Sequence, residues 1–231
     1  MVWGIVLPTG FGKHFPRSDF VGWKEHLSRR LKDLAPEVKA MMDGSVADYC
    51  YRVSEAFTRE VRNPARSQSP VRMPDIDELP QEIRLEGAHT DLAAFFMTRD
   101  RMLAVDEQLR TIIEALEPGG HVFWPLRLTT SKGADLPKRY FGLIIGRFLD
   151  SFDLEATPPE SVTGTGYQRQ ASGMTMAVFA TLAFRADQIG TSHLWRERRL
   201  LRPRVFLSDI LQAEILKAGL NIPKHHKVKT I

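Results

Sequence analysis

The chain is short of almost every feature that marks a specialised class. One cysteine, Cys50, stands among 231 residues, so no intramolecular disulfide can form and cysteine alone cannot hold a zinc ion. No uninterrupted apolar run approaches the ~18 residues of a membrane span. The opening MVWGIVLPTG has no basic n-region and meets Pro8 after a short apolar stretch, which does not fit a secretory signal. Seven histidines are present, but none forms an H-x-x-x-H or H-E-x-x-H pair, the spacing that sets two imidazoles on one metal. There is no G-x-S-x-G elbow. The Pro8–Lys13 turn fails as a phosphate loop, because Leu7 and His14 stand where glycine and Ser/Thr are required. These absences lead to the expectation of a cytoplasmic, non-enzymatic protein with no metal, no cofactor and no membrane partner.

What is present is an ordinary globular composition, 43% hydrophobic and 26% charged. At this length roughly 70% of the unfolded surface can be buried, enough for a core without staples. Val2–Leu7 reads as a strand. Ser18 is placed to cap a helix through Phe20, Trp23, Leu27, Leu31 and Leu34, and a second helical stripe runs Val46, Tyr49, Cys50, Val53, Phe57 and Val61. Cys50 sits on that stripe and reads as a small buried hydrophobe. Residues 63–80 carry four prolines and little apolar content, and make the best boundary in the chain. The expected division is therefore 1–80, a helical region with a Pro-rich connector, and 81–231, an α+β domain.

Past residue 90 the pattern is richer. An apolar run from Leu92 to Met97 leads to Thr98 as the expected cap of a helix with Met102, Val105, Leu109, Ile112, Ile113 and Leu116 on one face. That helix stops at Pro118-Gly119, and His121–Leu128 returns as a strand. Val205–Leu207, Ser208, a helix face at Leu211, Ile215 and Leu216, and Gly219 repeat the grammar, so the chain reads as holding two related β-α-β units. Tyr140–Leu149 reads as one buried strand. Residues 157–172 read as a loop, and Met174–Phe184 as a strand with alternating faces. The expected fold class is α+β, around a mixed or mostly antiparallel sheet with flanking helices and extra N-terminal helices.

Net charge is +4, but residues 185–231 hold 10 Lys/Arg against 4 Asp/Glu. Arg196, Arg198, Arg199, Arg202 and Arg204 lead this surplus, with Lys224, Lys227 and Lys229 in a tail expected to fray. A regulator that touches nucleic acid through this segment is the alternative functional reading. Asp150, Asp153 and Glu155 read as solubilising acids at a strand exit. His193-Leu-Trp195-Arg196-Glu-Arg198-Arg199 joins the residue types most enriched at binding hot spots, so Trp195, Arg196, Arg198 and Arg199 are the partner-binding candidates. The competing reading places Trp195 at the core edge.

Four ordered blocks carry a family resemblance. They are Phe95-Phe-Met-Thr98 with its helix to Pro118-Gly119 and His121-Val-Phe-Trp-Pro125, then Tyr140–Glu155 with its Asp150-x-x-Asp153 ending. His193-Leu-Trp195-Arg196 follows, and Val205-Phe-Leu-Ser208-Asp209 through Ala218-Gly219-Leu220 closes the series. Together they resemble the eleventh immunity protein family of bacterial polymorphic toxin systems over residues 90–222. Gly146 departs from that pattern, which has a polar residue there, and the first 85 residues show no family motif. The resemblance implies a non-catalytic protein that binds and neutralises a cognate toxin, with His193, Trp195, Arg196, Ser208, Asp150 and Asp153 as motif residues.

Overall fold

The structure, a computed structural model, describes residues 1–34, 36–40, 43–58, 73–87, 91–165, 167–173, 175–201 and 204–231. Its strands alternate with short helices throughout, the α+β class the patterning predicts. β1 (Val2–Ile5) and β2 (Ser18–Phe20) come first, followed by α1 (Trp23–Asp33), α2 (Pro36–Ala40) and α3 (Val46–Thr58). β3 (Glu82–Leu85), β4 (Phe95–Met97) and β5 (Leu103–Asp106) then lead into α4 (Glu107–Leu116), β6 (Val122–Thr129) and β7 (Tyr140–Ile144). The last third holds β8 (Phe148–Leu149), β9 (Phe152–Asp153), β10 (Val162–Thr163), β11 (Gln170–Ala171), α5 (Met176–Thr181), β12 (Ala183–Phe184) and α6 (Ala186–Ile189). It ends with β13 (Leu194–Glu197), β14 (Val205–Ser208), α7 (Asp209–Lys217) and β15 (His225–Thr230).

These strands make a six-stranded sheet, β2-β3-β6-β7-β5-β4, a seven-stranded sheet, β8-β13-β14-β1-β15-β12-β9, and a small β10-β11 ladder. Most neighbours are antiparallel, and β3–β6, β8–β13 and β12–β15 are parallel. Both sheets cross the expected division at residue 80, since β1 lies between β14 and β15 and β2 pairs with β3.

Alternation along the strands sends side chains into three cores. Phe95, Leu103, Val105 and Leu143 of one sheet, with Leu194, Val205 and Leu207 of the other, share a central cluster with Leu109 and Ile113 of α4 and Leu211 and Ile215 of α7. The opposite neighbours Phe96, Ala104 and Trp124 pack with Trp23 and Leu27 of α1 and Tyr49, Val53 and Phe57 of α3. Trp195, Phe206, Val2 and Val228 form the third cluster with Phe179 of α5.

The two β-α-β units coincide in register. In the first, β7 runs antiparallel between β5 and β6, with Gly142 opposite both Ala104 and Trp124. In the second, β1 runs antiparallel between β14 and β15, with Gly4 opposite both Phe206 and His226. The helices that follow β5 and β14 are capped alike. The Asp106 carboxylate accepts from the Leu109 N–H at 2.9 Å, and the Ser208 hydroxyl oxygen accepts from the Leu211 N–H at 3.1 Å. Both central glycines are required by close approach. A Cβ on Gly142 would stand 2.1 Å from Trp124 Cζ2, and one on Gly4 would stand 2.3 Å from Phe179 Cε1.

Several local expectations are corrected. Ser18 lies in β2 rather than at a helix start, because its segment pairs with β3 and α1 begins only at Trp23. Thr98 caps no long helix: residues 103–106 extend to pair with β4 and β7, and Asp106 takes over as cap. The Tyr140–Leu149 run breaks after Ile144, and β8 pairs with β13 in the other sheet. Residues 176–181 form α5 rather than a strand, with Thr175 as cap, and Met176 is exposed. The loop expected over 157–172 contains the β10–β11 ladder. The tail does not fray, since β15 is an interior strand and His226 is buried in it. Val61, His89, Gly166, Met174, Arg202 and residues 63–72 of the connector lie outside the described residues. The connector's last turn is anchored: the Trp23 indole N–H donates to the Glu78 carbonyl at 2.7 Å, and the Tyr49 hydroxyl donates to the Glu78 carboxylate.

Candidate functional site

β13 carries the sequence-predicted motif, and all four of its residues are buried. The strand is covered on both faces. Leu194 enters the central cluster, and Trp195 stacks on Phe206 in the third cluster with ring centres 5.9 Å apart. Trp195 is 0% exposed and Arg196 1%, so neither offers surface to a partner in this conformation, which corrects the picture of an exposed Trp-Arg pair. The arginine surplus is likewise divided, with Arg196 and Arg204 buried and Arg198 exposed.

Two of the motif residues meet, and the two motif aspartates bind other neighbours. His193 Nδ1 and the Ser208 hydroxyl are 2.8 Å apart, joining β13 to the cap of α7. Asp153 accepts from the Ala156 N–H at 2.8 Å and closes the turn after β9. Asp150 accepts from the Tyr167 hydroxyl and lies 3.8 Å from the Arg198 guanidinium. Glu197, which the sequence did not single out, is buried and accepts four bonds. Its donors are the Ser151 N–H at 2.9 Å and hydroxyl at 2.7 Å, the Phe152 N–H at 3.1 Å and the Arg199 N–H at 3.1 Å. Burial pushes this carboxyl above the usual range, although those donors pull it down.

A second buried acid ties the two units together. Glu117, at the end of α4, accepts from the His121 ring at 2.9 Å and from the Leu194 N–H at 2.8 Å. Burial raises its carboxyl, but His121 and the backbone N–H groups of His193 and Leu194 outweigh that and hold it below the usual range. Gly146 donates its N–H to His121 Nδ1 at 3.2 Å, and a Cβ there would stand 2.2 Å from the Gly120 carbonyl oxygen. The close approach of the Gly120 carbonyl leaves no room for a side chain at 146.

A cavity of about 310 Å³ opens where the turns of the β4–β5 and β13–β14 hairpins converge. Met97 and Arg101 enter it from the first hairpin, and Arg196, Leu201 and Arg204 from the second. Met97 and Arg196 hold equivalent places, each paired with the first residue of the following strand, Leu103 and Val205. Arg196 donates from Nη2 to the Phe57 carbonyl at 3.2 Å. Arg204 donates from Nη2 to the Gly173 carbonyl at 3.2 Å and lies over the Phe179 ring at 5.0 Å. Arg101 is presented by an unusual backbone, in which Asp100 and Arg101 both take left-handed conformations, at φ 56° and 61°. Sequence reasoning missed Arg101 because nothing in a Thr-Arg-Asp-Arg run announces two left-handed residues.

Cys50 is half-buried, and burial pushes its thiol up, away from nucleophilic character. Among the described residues no group of three His, Cys, Asp or Glu side chains is placed to hold a metal ion. Among them, too, no helix is long and apolar enough to cross a membrane.

Comparison with protein families finds a match to the immunity protein family (Imm11) over residues 37–230. The match extends the four-block resemblance toward both ends and takes in α3 and β3. Comparison with curated proteins finds no match.

Proposed function

The chain belongs to the immunity protein family (Imm11), and from that premise we propose that it neutralises a cognate bacterial toxin by stoichiometric binding, in the cytoplasm and without chemistry of its own. The observation that carries this reading is the family match from residue 37 to residue 230, which takes in strands of both sheets. Such an inhibitor needs a rigid complementary surface, and two sheets around a shared core supply one. The contact surface we favour lies beside the buried motif. Tyr167 is 57% exposed, the Arg199 guanidinium stands 5.8 Å from its ring centre, and Arg198 is exposed next to Asp150. Tyrosine and arginine are the residue types that most often anchor such contacts. In this reading Trp195 and Arg196 hold the strand that presents Arg198 and Arg199.

The test is co-expression with the toxin encoded beside the gene, followed by purification through a salt wash. Restored growth and a one-to-one complex with a Kd on the order of 10⁻⁹ M or tighter are expected. Unrelieved growth arrest with no complex overturns the proposal, and recovery of nucleic acid alone favours the regulator.

A further inference from the structure

We propose that the cavity beside the start of α7 is a binding site for a guanidinium group on a short apolar stem. The cavity, of about 360 Å³, opens where the start of β1 and the ends of β14 and β15 meet the turn after α6. It falls within the size range of small-ligand sites. Among the described lining residues Asp209 is the one carboxylate. Thr191, Ser192 and Thr230 bring hydroxyl oxygens, and Ile189 and Ile210 bring apolar wall. Acceptors around a single negative charge, beside hydrocarbon, suit the planar donor fork and methylene stem of an arginine side chain.

The first β-α-β unit points independently to the same ligand. Val2 pairs with Ser208 as Tyr140 pairs with Asp106, so Met1 and Asp209 stand where Arg139 and Glu107 stand in the first unit. The backbone repeats the equivalence. The Asp209 N–H donates to the Met1 carbonyl at 3.0 Å, and the Glu107 N–H to the Arg139 carbonyl at 3.2 Å. In the first unit the Arg139 guanidinium then closes on the Glu107 carboxylate at 2.8 Å. In the second unit the methionine side chain brings no guanidinium. Asp209 accepts from the Trp3 indole N–H at 3.1 Å and makes no ion pair among the described residues. The helix dipole favours an acid in this first turn with or without a cation, so the carboxylate is held in place before a guest arrives. A guanidinium supplied from outside the chain would complete the pair that the first unit makes within itself. This proposal is independent of the toxin-binding one, and either can fail without the other.

The Trp3 indole reports on the site directly, because its N–H donates to Asp209. The test is a nitrogen-15 NMR titration of the full chain that follows this indole resonance, with the Trp23, Trp124 and Trp195 indoles as internal controls. The probes are butylguanidinium and a capped Gly-Arg-Gly peptide, with butylurea as the uncharged isostere. A saturable Trp3 shift from at least one guanidinium probe is expected, with butylurea at least tenfold weaker. Asp209→Asn keeps an acceptor for the indole and should weaken binding about tenfold, and the cavity-filling Thr191→Trp should do likewise. Glu107→Gln, in the first unit, should leave it unchanged. Tighter binding of the peptide assigns the source to a partner protein, and tighter binding of butylguanidinium to a free small cation. No saturable Trp3 shift from either guanidinium probe overturns the proposal. So does butylurea binding as tightly as the cations, or binding that survives both Asp209→Asn and Thr191→Trp in folded protein.

Discussion

Trp195 and its neighbours separate two roles that a sequence motif merges. The Trp195 indole fills the third core against Phe206, so Trp195→Ala should lower stability by about 3–5 kcal/mol in urea denaturation. Tyr167→Ala and Arg198→Ala, on exposed side chains, should leave the urea midpoint within experimental scatter and weaken toxin binding by about 1–2 kcal/mol each. The reverse outcome would move the interface into the strand. Glu117 supplies a pH test. Its carboxyl is held below the usual range in the folded protein, against about 4.3 in the unfolded chain. The unfolded state therefore binds more protons on the acid side, and the stabilisation from Glu117 is full above about pH 5 and lost as pH falls through the depressed folded value. Glu117→Gln should lower stability at neutral pH and flatten the loss of stability below about pH 4, measured by urea unfolding across that range. At this scale the sequence showed which residue types were unusual, but not which way they face, because Leu194–Glu197 is buried on both sides and carries no alternation.

Capping is where the sequence spoke most clearly about elements. Ser208 was legible as the start of α7 because a small hydroxyl residue follows three apolar strand residues and precedes a helical stripe. Asp106, the equivalent cap of α4, was overlooked in favour of Thr98 because Met102 and Val105 fall at helical spacing with Leu109. Pairing with β4 and β7 extends Leu103–Asp106 instead, and Met102 and Val105 are buried in clusters on opposite faces of the sheet. Ser208→Ala and Asp106→Ala should each cost about 0.5–2 kcal/mol. Ser208→Ala should cost the more, because it also removes the His193 contact. Chemical denaturation of the two variants side by side checks the order. Met176–Thr181 illustrates the opposite failure. Alternating apolar residues mimic a strand there, but Thr175 offers its side chain to the Val178 N–H and the segment coils over the sheet beside β15.

At the scale of the molecule, two β-α-β units of matching register stand around one core, and one of them borrows its central strand from the start of the chain. β7 follows β6 directly, whereas β1 reaches β14 and β15 across some two hundred residues. Deleting residues 1–6 should open two strand edges at once, and we expect loss of the cooperative thermal transition followed by circular dichroism. A truncated chain that keeps a sharp transition would show that the second unit closes without β1. The sequence by itself determined the α+β class, the start of α7, the glycine stops after α4 and α7, and the family. These rest on local signals such as caps, helical stripes and glycine stops, which act within a few residues of where they stand. Only the tertiary structure decided that the N-terminal strand completes the C-terminal sheet, that Trp195 and Arg196 face inward, and that Arg101 and Arg204 line one cavity with Arg196. Each of these is a contact between segments far apart in the chain, and nothing in local composition encodes which distant strand a strand will pair with.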